Sequence, residues 1–83
     1  MKCFDLEVLT PEKKMYSGKA ESVSAMAERG SLTVLADHAP LVSSLTLGSV
    51  KIKDDQGKTT SFSVKSGLLK VLDNQVSVLI RNA

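Results

Sequence analysis

The sequence predicts an all-β domain, a flattened antiparallel β-sandwich or barrel of about eight to ten short strands. Three observations lead there. Apolar residues recur at every second position through most of the chain, the mark of half-buried strands. Compact turn signals break these runs at intervals of roughly ten residues. Helix signals are weak: Glu12 to Tyr16 could form one turn, but Gly18 and the β-branched residues beyond it oppose anything longer.

Each element follows from its own pattern. Phe4, Leu6 and Val8 alternate with Cys3, Asp5 and Glu7. Thr10-Pro11 ends that run. A short strand is expected from about Lys13 to Tyr16, closed by Ser17-Gly18. Val23, Ala25 and Ala27 form the next apolar phase, and Leu32 and Val34 the one after, with a hairpin at Arg29-Gly30 between them. Ala36 to Ser44 breaks the alternation. Pro40 cannot donate to a ladder, so the segment reads as a long ordered connection. Val50 and Ile52 alternate with Lys51 and Lys53. Asp54-Asp55-Gln56-Gly57 is a strong turn, because aspartates bond locally to the backbone and glycine accepts positive φ. Phe62 and Val64, then Leu69 and Val71, give two further strands. Asp73-Asn74 is a compact turn before Val76, Val78 and Ile80. Successive strand side chains point to opposite faces, so each run has one apolar face.

The chain of 83 residues is one domain's worth, spanning 1–83. Its formal net charge of +2 is close to balance, with lysines and acids interleaved. No basic stripe of the kind nucleic-acid binders use is evident. Cys3 is the only cysteine, so no internal disulfide forms and a reducing compartment is expected. The first residues lack an apolar signal-peptide core, and no apolar run reaches the length of a membrane span. Docking on a membrane assembly is compatible with this, and insertion is not expected.

No catalytic or metal constellation can be assembled. His38 is the only histidine and has Asp37, Ser43 and Ser44 nearby in sequence. Adjacent residues on an extended chain point apart, so Asp37 is badly placed to orient His38 in a triad. One histidine and one cysteine cannot supply the usual nitrogen and sulfur ligands of a metal. Neither a cofactor nor a metal is expected, and the chain reads as a non-enzyme.

The segment Gly30-Ser31-Leu32-Thr33-Val34-Leu35-Ala36-Asp37-His38-Ala39-Pro40-Leu41 resembles the pattern G-x-L-x-I/V-x-x-x-H-A-P-L of the epsilon subunit of F-type ATP synthases. Met15-Tyr16-Ser17-Gly18, Leu47-Gly48-Ser49-Val50-Lys51-Ile52 and Val64-Lys65-Ser66-Gly67-Leu68-Leu69-Lys70-Val71 resemble three more of its motifs, in the same order. Ala36 and Asp37 stand where the family usually has proline and glycine. The family usually continues into two antiparallel helices from about Arg81-Asn82-Ala83, so neither inhibition by that hairpin nor ATP binding is expected from these residues.

The resemblance implies a flattened β-sandwich that docks on the gamma subunit and on the membrane rotor ring and turns with them. It would sit peripherally, on the cytoplasmic side of the coupling membrane. By position, Thr10, His38, Ala39, Pro40, Leu41 and Ser43 would face gamma, and the tip Glu28, Arg29, Gly30 and Ser31 would face the ring. Leu68, Leu72 and Leu79 fall in the outward phase. They are either covered inside a closed sandwich or form an apolar patch awaiting a partner.

Two other functions compete. A biotinyl or lipoyl carrier domain needs a modified lysine at a hairpin tip, and Lys58 follows a turn but lacks the methionine or acidic-alanine flanks. A small nucleic-acid-binding barrel needs stacking aromatics. The aromatics are Phe4, Tyr16 and Phe62, and both phenylalanines lie in the apolar phase. Lys51, Lys53, Lys58, Lys65 and Lys70 read as solvated strand faces, which also protect sheet edges.

Overall fold

A computed structural model describes residues 3–81. Asn82 and Ala83, where the sequence comparison places the start of a helical hairpin, lie outside the described residues. Eight strands follow one another: β1 Phe4–Leu9, β2 Lys14–Ala27, β3 Gly30–Leu35, β4 Leu41–Leu45, β5 Gly48–Asp54, β6 Thr59–Val64, β7 Ser66–Leu72 and β8 Gln75–Arg81. They form one hydrogen-bonded sheet in the order β1-β8-β7-β4-β2-β5-β6, with β3 beside β2 and a further β1–β2 pairing.

The long strand β2 makes this a sandwich. Its first half pairs with β1 from Lys14 to Ala20, and its second half pairs with β3 and β5 from Ala20 to Ala27. One strand therefore serves both halves of the sheet, and a register shift between Ala20 and Ser22 bends it from one to the other. The apolar phases read from the sequence all turn inward. Phe4, Leu6, Val23, Ile52, Leu69 and Val78 are among the fully buried side chains, and no polar side chain among the described residues is buried with them.

The structure corrects the sequence reading in three places. Ser17-Gly18 does not end a strand: β2 runs through it, with Gly18 opposite Leu6. The connection after β3 covers only residues 36–40, because Leu41–Leu45 is a strand. It pairs with β7 from Leu41↔Val71 to Leu45↔Gly67. Its inward phase is Leu41, Ser43 and Leu45, and the serine hides the alternation. The sheet is also not wholly antiparallel, since β1 and β8 run parallel from Asp5↔Gln75 to Leu9↔Leu79. The chain's two ends are far apart in sequence, so no hairpin dictates their direction.

The turns expected at Asp54–Gly57 and Asp73-Asn74 are present. Asp54 Oδ1 accepts the N–H of Gln56 at 2.9 Å and of Lys58 at 2.8 Å, and Gly57 takes φ 83°. Asp73 and Asn74 both adopt left-handed geometry, at 50° and 59°. Asn74 does more than turn the chain. Its Oδ1 accepts the N–H of Asp37 at 2.7 Å, and its Nδ2 donates to the Cys3 carbonyl at 3.0 Å. The side chain thus ties the loop before β4 to the start of β1. Asn74→Ala removes both bonds and puts alanine, which tolerates the left-handed region less well than asparagine, at φ 59°. It should cost roughly 1–3 kcal/mol in a urea melt, while Asn74→Asp, which keeps the acceptor, should cost less.

Candidate functional site

The register places the expected interface residues at two ends of the molecule. β4 begins at Leu41 beside Val71, close to the Asp73-Asn74 turn. His38, Ala39 and Pro40 therefore sit at that end, held by the Asp37–Asn74 bond. Thr10 follows Leu9, which pairs with Leu79 near the far end of β8, so it lies at the opposite end. There Thr10 organises its own turn. Its hydroxyl accepts the N–H of Lys13 at 3.1 Å and of Glu12 at 3.3 Å.

The tip Glu28–Ser31 is exposed at the β2–β3 turn, with Gly30 at φ 121°. A groove runs between this tip and β4, lined by Arg29, Gly30, Ser31, Leu41, Val42 and Ser43. The tip and part of the His38–Ser43 segment are thus brought together, while Thr10 stands at the end away from His38, where its neighbour Pro11 shares a groove with Glu28 and Ser44. Leu41 and Ser43 are half-buried in the inward phase, and Leu41 packs against the core.

The outward phase of β4, β7, β8 and β1 presents the larger apolar surface. Leu68 of β7 pairs with Leu79 of β8, and Leu79 pairs in turn with Leu9 of β1. Three leucines thus form a row across three strands. Leu68 and Leu79 are 42% and 51% exposed, Leu72 on the same face is 47% exposed, and Val42 is 63% exposed. These leucines are not covered inside the sandwich, which resolves the alternative left by the sequence. Val42 was hidden from sequence reasoning, because without β4 its side chain has no assigned face.

Two ion pairs lie on the β1 side of this row, while Lys70 stands between Leu68 and Leu72. Lys19 Nζ lies 2.7 Å from Asp5 Oδ1, and Lys14 Nζ lies 3.3 Å from Glu7 Oε1. The bond to Asp5 holds the Lys19 ammonium above its ordinary range, with attraction to that carboxylate adding to it. Burial raises the Tyr16 phenol, aided by Asp54 and Asp55.

His38 bonds within its own loop. Its Nδ1 donates to the neighbouring Ala39 carbonyl at 2.7 Å, and Ser43 Oγ donates to Ser44 O at 3.4 Å, so neither engages the other. No group of three or more His, Cys, Asp or Glu that could hold a metal occurs among the described residues. No described helix is long and apolar enough to cross a membrane.

Comparison with known proteins adds to this geometry. The family described as "ATP synthase, Delta/Epsilon chain, beta-sandwich domain" matches residues 3–83. An ATP synthase epsilon chain of Ruminiclostridium cellulolyticum is 41% identical over 83 residues, covering 100% of this chain and 61% of its own length. One from Pelotomaculum thermopropionicum is 40% identical over 78 residues, 94% of this chain and 58% of its own. This chain thus spans about three-fifths of the curated relatives it matches. Among solved structures, the mitochondrial ATP synthase of Euglena gracilis (OSCP/F1/c-ring) contains a chain with the same fold. It superposes with a TM-score of 0.88 at 19% identity, covering 94% of this chain and 50% of that one. The central stalk/c-ring structure of Tetrahymena thermophila gives a TM-score of 0.80 at 19% identity, over 94% of this chain and 63% of that one.

Proposed function

The chain belongs to the β-sandwich domain family of ATP synthase delta/epsilon chains, and from that premise we propose that it works as a rotor subunit of an F-type ATP synthase. Residues 1–83 act as one such domain. It docks on the gamma subunit and on the membrane rotor ring, and helps couple ion-driven rotation to ATP synthesis. It does so without chemistry of its own, peripherally, on the cytoplasmic side of the coupling membrane.

The observation that carries this reading is the exposed row of Leu68 and Leu79, continued by Leu9 and flanked by Val42 and Leu72. Scattered exposed leucines need no explanation, but a contiguous apolar band on one sheet face marks a surface that another protein covers. We assign that face, with the His38–Pro40 end and Thr10 at its borders, to gamma. The polar tip Glu28–Ser31 is assigned to the ring, whose loops a protruding charged hairpin can meet at its rim. Torque transmission requires a body that does not deform, and the closely packed core supplies one. Neither the carrier-domain nor the nucleic-acid reading gains support from the relatives.

A mild-detergent pull-down of the tagged chain from its own cells tests the proposal. Recovery of gamma and ring subunits in matching amounts supports it, and recovery of a carboxylase, of RNA or of the chain alone overturns it. Within the same assay Arg29→Glu should weaken capture of the ring. Its thermal stability should stay within about 0.5 kcal/mol of the parent, because the side chain is exposed at a turn. A collapse of the isolated domain would contradict that division of roles.

A further inference from the structure

Among the described residues, β3 beside β2 and β6 beside β5 each pair with one strand only, so each leaves an edge open along its whole length. Proteins usually guard such edges with charge, proline or a bulge. β6, Thr59-Thr60-Ser61-Phe62-Ser63-Val64, has no charge, proline or glycine, and it pairs with β5 without a register shift.

The turn before β6 fixes which backbone groups are free. Gly57 N–H donates to Asp54 O, and Asp54 N–H donates to Lys58 O at 2.9 Å. Counting from that closing bond, the pairs Ile52↔Thr60, Val50↔Phe62 and Gly48↔Val64 exchange the ladder bonds. The N–H and C=O groups of Thr59, Ser61 and Ser63 consequently point to the open edge. An extended segment can bond to them without displacing any existing bond.

The side chains specify what kind of segment fits. On the inner face Phe62 is only partly buried against the core, so apolar residues at alternate positions of an added strand would continue the core. On the outer face Ser61 and Thr59 stand opposite Lys51 and Lys53 of β5. These hydroxyl residues are short, and strands lie about 4.8 Å apart, so the flexible lysine arms can reach across β6 to its edge. Lys65 adds positive charge at one end, and at the other Asp54 and Asp55 offset Lys58. A second copy of β6 fits poorly. Antiparallel self-pairing through Ser61 sets Thr59 against Ser63 and brings no carboxylate to Lys51 or Lys53.

We propose that the open edge of β6 receives an extended segment of a partner protein in which apolar residues alternate with acidic ones. This edge belongs to the half of the sheet that lacks the leucine row, so the inference stands or falls separately from the docking role assigned to that row.

Titrating the isotope-labelled chain with a short acetylated Glu-Val repeat peptide and following its amide NMR signals tests this. The signals of Thr59, Ser61 and Ser63 should shift, and their amides should become protected from exchange. Ser61→Pro removes a free-edge donor and none of the bonds to β5, so it should abolish binding while the thermal melt stays cooperative. Lys51→Glu with Lys53→Glu should weaken binding roughly five-fold or more, and a Lys-Val repeat peptide should be weaker than the Glu-Val peptide by a similar factor. Equal affinity for the two peptides, an absence of shifts at millimolar peptide, or a dimer that Ser61→Pro dissolves would each overturn the proposal, the last by giving the edge to a second copy.

Discussion

Leu69→Ala should destabilise the domain by roughly 2–5 kcal/mol, the range for emptying a fully buried leucine site. Leu69 is 0% exposed. It lies in β7, a strand paired on both sides, between Ser43 of β4 and Val78 of β8. β8 is held on its far side by β1, so the cavity cannot close by a simple shift of that strand. A domain of this size has a total stability of roughly 4–12 kcal/mol, so the loss is a large share of it. The melting temperature should fall by roughly 8 °C or more. The next residue supplies the control: Leu68→Ala, on the outward face, should cost less than about 1 kcal/mol in the isolated domain. Similar melts for the two variants would mean that the alternation of β7 has been assigned to the wrong faces.

Gly67→Ala should be the second most damaging change, at roughly 1–3 kcal/mol. A Cβ at Gly67 would lie 2.4 Å from the Leu79 carbonyl oxygen and 3.3 Å from Ile80 Cα. Both are backbone atoms of the paired strand β8, so relief requires the β7–β8 ladder to spread where Gly67 faces Ile80. The same substitution at Gly48 meets Met26 Cγ at 2.8 Å, part of a half-exposed side chain that can rotate away. Gly48→Ala should therefore be milder. Chemical denaturation of both variants checks the order, and a larger loss at Gly48 would contradict it.

The strands were legible where inward residues were uniformly apolar. Phe4-Asp5-Leu6-Glu7-Val8 and Gln75-Val76-Ser77-Val78 needed nothing beyond period-two alternation, and their apolar members are buried. β4 was not legible, because Ser43 occupies an inward position next to a proline-bearing loop. The continuity of β2 was hidden by Ser17-Gly18, which reads as a turn locally but is held extended by pairing with Glu7 and Leu6. That is tertiary pairing overriding a local signal. Asp37 shows the opposite case. It stands where the resembling pattern has glycine, and it adopts φ 60°, a geometry that aspartate tolerates better than most residues.

The face proposed for docking is only partly legible in the sequence. Outward leucines at 68, 72 and 79 follow from the alternation, but whether anything within the chain covers them depends on how the sheet folds over. The residues carried across by position do not lie on one continuous face. The register separates Thr10 from His38 and turns Leu41 and Ser43 inward, whereas Val42 takes the outward place beside Lys70. Asn74 could be read as a turn residue, yet its bonds to Asp37 and Cys3 depend on segments distant in sequence.

The central claim is that the outward leucine face is where the chain meets gamma. The direct measurement is quantitative capture of gamma by the tagged chain carrying Leu68→Asp and Leu79→Asp, beside the parent, with a thermal melt of each isolated domain. The account predicts that capture falls at least tenfold, since two desolvated leucine contacts are worth roughly 1.4 kcal/mol or more together, while the melts stay close. Undiminished capture by a well-folded double variant would contradict it, and would mean that the leucine row faces something other than gamma.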